Sequence, residues 1–313
     1  MATAREIHRH MKGIKNIGQI TKAMKMVAAA RLRKAQEKAG SSRPYALKIK
    51  EVLANIVCDK GMVAGLDAKK HPLLQKREVK KIGYLVVCSD KGLAGAYSSN
   101  ALKKAVAEIS EIEGDVVIIT SGRRARDFFT RRGYNVISSH LGFSDKPSYN
   151  DAVAIATDAA ERFGDMQFDE LHIVFTLFKT ALSQIPTSDI ILPVEPPEKE
   201  TGVTKKSVEY LFLPEAEEIL KVLAPRYLET IVYAALVQSA ASELGARMTA
   251  MSSATDNAGK LVKNLELSYN KARQALITRE LSEICGGAEA LKKVTGTYGR
   301  FTEEQGAVKH IDP

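Results

Sequence analysis

Asp90-Lys-Gly-Leu-Ala-Gly-Ala-Tyr97 is the stretch of this 313-residue chain best placed to do chemistry. It follows an apolar, strand-like run and precedes a helical one, the position at which glycine-rich loops turn backbone N–H groups toward a phosphate. Neither GxGxxG nor GxxxxGK(S/T) is present, so two readings stay open: a structural strand-to-helix turn or an anion site. Other chemistry is harder to place. His8, His10, His71, His140, His172 and His310 form no HExxH and no HxxxH pair on a helix. Cys58, Cys88 and Cys285 stand at no metal-ligand spacing, and no G-x-S-x-G nucleophile turn occurs. The residues give no reason to assign catalysis, a metal or a cofactor.

A second candidate is a charge pattern. Residues 1–38 hold ten Lys and Arg (5, 9, 12, 15, 22, 25, 31, 33, 34, 38) against Glu6 and Glu37, a local +8 out of the chain's formal +9. That segment could be a solvated helix face, a nucleic-acid surface or a surface for an acidic protein. It lacks base-stacking aromatics and any recognised nucleic-acid motif, which favours the acidic partner. Farther on, Arg247, Arg273, Gln274, Thr278 and Glu280 crowd a helical stretch, and pattern alone reads them as exposed surface with ordinary i,i+4 pairing.

The elements that must carry these residues fall into three parts. Ile7, Met11, Ile14, Ile17, Ile20, Met24 and Val27 recur at steps of three or four and predict a basic amphipathic helix over 3–58. Gly40-Ser-Ser-Arg-Pro44 is expected to kink or interrupt it. Short β-branched runs at 82–88, 116–120, 134–137 and 171–178 alternate with helical stretches at 98–112, 123–132 and 150–163. That order predicts an α/β layer with a largely parallel sheet. Runs at 185–194 and 208–213 are further strands, flanking a Pro/Glu/Lys-rich loop at 195–204.

From Pro225, expected in a first helical turn, Ala234, Val237, Ala241, Leu244, Met248, Met251, Thr255, Ala258, Val262, Leu265, Tyr269, Ala272 and Leu276 step alternately by three and four. A sustained 3.5-residue period is the pattern of a left-handed coiled coil, and many of its seam residues are small. Gly286-Gly287 is expected to end it. The simplest partner is the N-terminal helix, giving two terminal helices paired antiparallel with an inserted α/β (Rossmann-like) domain. The expected divisions are an N-terminal helix (1–58), a linker (59–79), the α/β domain (80–213), a C-terminal helix (214–291) and a flexible extension (292–313).

Composition bounds the class. Charged residues make up 27% of the chain, hydrophobic ones 45% and aromatics only 6%, with no Trp. The longest uncharged run, Thr230 to Ser242, is 13 residues, short of the roughly 20 that a membrane span needs. The first residues lack the apolar core of a secretory signal. Three scattered cysteines suit a reducing compartment.

Ile14-Lys-Asn-Ile-Gly-Gln-Ile-Thr-Lys-Ala-Met-Lys-Met-Val-Ala-Ala-Ala30 resembles the N-terminal signature of the gamma-subunit family of rotary F-type ATP synthases. Residues 246–258 and Tyr269-Asn-Lys-Ala-Arg-Gln-Ala-Leu-Ile-Thr-Arg-Glu280 resemble its C-terminal signature, and Asp90–Gly95 and Tyr210–Pro214 match weaker motifs. The resemblance covers about residues 3–291. It implies a central rotor shaft, itself non-catalytic and without cofactor, passing through a hexamer of alpha and beta subunits. The epsilon subunit and the c-ring are the further partners it implies, with contact to the membrane only through that ring, on the cytoplasmic face of a bacterial inner membrane. It also implies that Lys22, Met24 and Lys25 face acidic lever loops of beta, that Arg247 lies opposite them as a further contact to the hexamer, and that Arg273, Gln274, Thr278 and Glu280 contact the hexamer nearer the shaft tip. Departures from the family pattern are the extension past Leu291 and Leu213, which stands where an acidic residue often precedes the proline. A nucleotide-binding α/β enzyme and a basic helical-hairpin nucleic-acid binder are the alternative classes.

Overall fold

The computed structural model describes residues 3–57, 72–112, 114–194 and 216–306. The expected strand at 208–213, the loop at 195–204, the Tyr210–Pro214 motif and most of the 59–79 linker lie outside the described residues. Two compact units are present, Met1–Thr21 with Ala254–Pro313, and Lys22–Ser253.

The larger unit holds a five-stranded sheet in the order β3-β2-β1-β4-β5. Its strands are β1 (Lys81–Val87), β2 (Asp115–Ser121), β3 (Val136–His140), β4 (Glu170–Phe178) and β5 (Gln184–Leu192). The first four are parallel, and β5 runs antiparallel to β4. Between them lie α2 (Tyr97–Ser110), α3 (Arg123–Arg131) and α4 (Tyr149–Gly164). Central β1, Lys-Ile-Gly-Tyr-Leu-Val-Val, is buried on both faces, as its unbroken apolar run requires. Its alternation sends Tyr84 and Val86 into a layer with Leu102 and Ala105 of α2 and Phe129 of α3. Leu85 and Val87 go to the opposite layer, with Ile155, Ala159 and Phe163 of α4.

Helix α4 starts at a capping box: Asp151 N donates to Ser148 Oγ and Ser148 N donates to Asp151 Oδ2 at 2.8 Å. Ser148→Ala is expected to cost about 1 kcal/mol. A melting curve should show it as a downward shift of about 2–4 °C.

The two long helices, α1 (Ala4–Val57) and α5 (Ala216–Gly306), contribute to both units. Three expected breaks do not occur. Helix α1 runs through Pro44, α5 starts nine residues before Pro225, and α5 continues through Gly286-Gly287 to Gly306. The start of α5 has a packing reason, because Leu220, Ala224 and Leu228 are buried in the sheet's core and outweigh the lost N–H of Pro225. Continuing to Gly306, α5 takes in most of the segment expected to be a flexible extension.

Within the smaller unit the helices pair antiparallel. His8 meets Tyr269 with ring centroids 5.5 Å apart, a Cβ on Gly18 would lie 3.4 Å from Ala258 Cβ, and the Thr21 and Thr255 hydroxyls are 2.8 Å apart. On α5 the burial follows the expected line through Thr255, Ala258, Val262, Leu265, Tyr269 and Ala272, while Leu276 is exposed. On α1 the seam departs from expectation. Ile7, Met11 and Ile14 are in it, but the line continues through Gly18 and Thr21, leaving Ile17 and Ile20 56% and 59% exposed. Small residues facing small residues let the backbones approach closely, and that contact excludes the larger isoleucines.

Candidate functional site

In an open α/β sheet the crevice for ligands lies at the carboxyl ends of the strands where the strand order reverses. Here that point is between β1 and β4. Two groups of backbone atoms meet there: the turn Asp90–Tyr97 and the end of β4, which outruns its neighbour because the β1–β4 ladder stops at Val86–Val174.

The turn is braced by its own carboxylate. Asp90 Oδ1 accepts from Arg123 N at 3.0 Å, and Oδ2 accepts from Gly142 N at 2.9 Å and Ser144 N at 3.1 Å. Burial opposes ionisation of Asp90, but these donors outweigh it and hold the carboxyl below the usual carboxylate range. Arg123 opens α3, whose N-cap is Gly122 and has no side chain to offer. Asp90 therefore occupies the N-terminus of α3, and its carboxylate ties the turn to the ends of β2 and β3 as a structural brace.

The rest of the crevice is filled by α5. Thr176 N donates to Ser239 Oγ at 3.2 Å, Ser242 Oγ donates to the Thr176 carbonyl at 2.9 Å, and Phe178 N donates to Gln238 Oε1 at 3.3 Å. Polar α5 side chains thus complete the hydrogen bonding that β1 leaves undone. One turn on, Arg247 Nη2 donates to the Gly92 carbonyl at 3.2 Å and to Glu243 Oε1 at 2.6 Å. Both side chains are buried, Glu243 to 1% exposure. Burial pushes the Glu243 carboxyl above its ordinary range, and the Arg247 guanidinium offsets this only in part. Cys88, at the end of β1, is pushed by burial up to about 11 and is no nucleophile. The phenol of buried Tyr97 is likewise raised well above its ordinary value by burial.

The other seven residues singled out from the sequence do not gather in this crevice. Lys22 and Lys25 are exposed and Met24 is half-buried; Lys25 Nζ donates to Ser252 Oγ at 3.0 Å. Arg273, Gln274, Thr278 and Glu280 are all exposed. They occupy a stretch of α5 beyond Ala272, the last half-buried seam residue, where no other helix covers it among the described residues. From Arg273 to Leu291 every residue is exposed, including Leu276, Ile277, Leu281, Ile284 and Leu291. Exposed apolar side chains at Leu276, Ile277, Leu281 and Ile284 are the kind of surface that suits an interaction. Sequence reasoning missed Glu243, Ser239 and Ser242. The available signal was three polar residues beside the a/d line of an otherwise apolar helical run.

Among the described residues there is no cluster of potential metal ligands and no helix long and apolar enough to cross a membrane.

A family model described as ATP synthase matches residues 3–291. The ATP synthase gamma chain of Brevibacillus brevis is 47% identical over 289 residues, covering 91% of this chain and 98% of that protein. That of Desulfitobacterium hafniense is 44% identical over 292 residues, covering 93% and 100%. Among solved structures, a chain of the Euglena gracilis mitochondrial ATP synthase superposes with a TM-score of 0.63 at 22% identity, covering 93% of this chain and 95% of that one. A chain from the central stalk and c-ring of the Tetrahymena thermophila mitochondrial ATP synthase gives 0.55 at 22%, covering 75% and 99%. At that identity the structural likeness speaks for the fold.

Proposed function

The chain belongs to the ATP synthase gamma-chain family, and from that premise we propose that it is the central rotor shaft of an F-type ATP synthase. In this reading the paired ends (1–58 and 214–291) form the shaft and pass through a hexamer of alpha and beta subunits. The α/β part (80–213) sits with the epsilon subunit on the c-ring, 59–79 links the two, and 292–306, continuous with α5, prolongs the shaft. Rotation of the ring brings different shaft faces against each beta subunit, biasing its nucleotide site toward a different state. The chain itself is non-catalytic and peripheral, on the cytoplasmic face of a bacterial membrane, coupling ion flow to synthesis or hydrolysis elsewhere.

The observation that carries this reading is the bare stretch of α5. Nineteen exposed residues, five of them large and apolar, suit a surrounding apolar sleeve better than solvent. Filling of the crevice by α5 also weighs against the alternative of a nucleotide-binding enzyme. Arg273, Gln274, Thr278 and Glu280 are then polar contacts to the hexamer, and Lys22, Met24 and Lys25 face acidic levers of beta. Arg247, engaged with Glu243 and Gly92, acts by positioning α5.

Reconstitution tests this. The chain alone should hydrolyse no ATP and should co-purify with alpha and beta subunits of a relative, restoring ATP-driven rotation. Intrinsic turnover, or failure to assemble, would sink the proposal. Lys22→Glu combined with Lys25→Glu should weaken shaft–lever interaction by about 1–2 kcal/mol, read as a salt-sensitive fall in coupled turnover with unchanged melting of the chain.

A further inference from the structure

The larger unit has a cleft of about 520 Å³ that adjoins the crevice through Lys91 and Gly142. Cations line it from three separate segments: Arg31, Lys34 and Lys38 from α1, Lys91 from the turn after β1, and Lys146 from the loop after β3. Its apolar lining includes Ala35, Phe143, Val237 and Ala240. Asp145 is its one acidic residue, and a single oxygen of that carboxylate accepts from both Arg31 and, at 3.4 Å, Lys91. Lys38 Nζ is held by the Pro147 carbonyl at 3.5 Å. The side-chain ammonium groups of Lys34 and Lys146 make no ion pair or hydrogen bond among the described residues.

We propose that this cleft is a binding site for a phosphate-bearing polyanion of the size of pyrophosphate or a nucleoside triphosphate. Five cations against one carboxylate repel one another, and a multiply charged anion between them relieves that repulsion. Charge-assisted contacts from Arg and Lys are the usual means of holding phosphate oxygens. The cleft has the volume of a small-molecule site, and its cations converge from three directions on one concavity. An acidic protein loop would instead meet an open helix face, such as that carrying Lys22. The apolar lining leaves room for a base or for nothing, so phosphate groups are the shared requirement and the source is for experiment to distinguish.

The test is calorimetric titration of the full chain, without alpha or beta subunits, using pyrophosphate, magnesium-free ATP and a glutamate-rich peptide at about 0.1 M salt. Saturable one-to-one binding of pyrophosphate is expected. Lys34→Gln combined with Lys146→Gln should weaken it roughly tenfold or more, since each charge-assisted bond lost is large enough for that. The variant's circular dichroism and melting should be unchanged, as both lysines are exposed. Equal affinities for pyrophosphate and ATP would mean that phosphate alone is read, and tighter ATP binding would mean that the apolar lining takes the base. Absence of binding by both anions, or binding indifferent to the double substitution, overturns the proposal. So does binding of the peptide without pyrophosphate, which would make the cleft a surface for an acidic protein.

Discussion

Gly122→Ala should be the most damaging single-methyl change in the α/β unit. Gly122 has φ +105°, and a Cβ there would lie 2.3 Å from the Cys88 carbonyl oxygen and 2.8 Å from its carbon. Both are backbone atoms, so no rotamer change relieves the overlap. The strand ends are also pinned: Cys88 N donates to the Ser121 carbonyl and Gly122 N to that of His140, each at 2.8 Å. Positive φ alone costs an alanine on the order of 1–3 kcal/mol. Forcing β1 and β2 apart adds to it, for a total of about 4 kcal/mol or more. Displacement would pass directly to Arg123 N, which Asp90 caps, and so to the turn that presents Gly92 to α5. Gly133→Ala is the control, with φ +75° and nothing within 4 Å of its Cβ; it should cost only the conformational term. Urea midpoints measure both. If the two variants differ by less than about 1 kcal/mol, the close approach at Gly122 is not what holds the strand ends.

The same region shows what the sequence could and could not carry. A 3.5-residue repeat is local, so the α5 seam from Thr255 to Ala272 was readable residue by residue. The facing line on α1 was not, because Ile17 and Ile20 fit a three-and-four spacing as well as Gly18 and Thr21 do. The choice is made by Thr255 and Ala258, more than 230 residues away. Strand and helix alternation gave the sheet and its parallel sense, yet nothing in Asp90–Tyr97 could announce that its crevice is filled from Arg247, 155 residues on. Proline and glycine misled for a related reason. Their penalties are local and of a few kcal/mol at most, whereas Leu220, Ala224 and Leu228 bury their side chains around Pro225. Exposure at Arg273–Glu280 was readable, but the exposure of Leu276 could not be seen in a pattern that runs unbroken to it.

Arg247→Ala is the second large effect expected, and its pH dependence separates two roles for the residue. Losing the guanidinium leaves Glu243 buried at 1% exposure without its partner, a change worth about 3–5 kcal/mol when the remaining charge stays ionised. Glu243 already has its carboxyl raised by burial, against the pull of Arg247. A carboxyl raised on folding binds its proton more tightly in the folded state, so stability is highest at low pH and falls as pH rises from the unfolded carboxyl's value, about 4.3. The fall ends once pH passes the folded-state value. Without Arg247 that value moves higher, the falling window widens, and the variant's deficit against the parent should be small near pH 4 and large near pH 8. Glu243→Gln combined with Arg247→Ala removes the orphaned charge and should recover much of the loss at pH 8, in a double-mutant cycle with strong coupling. A deficit that does not change between pH 4 and pH 8 would contradict the buried-pair account. Coupled turnover in the reconstituted complex then decides the role. If Arg247 works by holding α5 against the Gly92 turn through Glu243, the double variant should regain coupling along with stability. If Arg247 contacts the hexamer directly, stability should return while coupling stays lost.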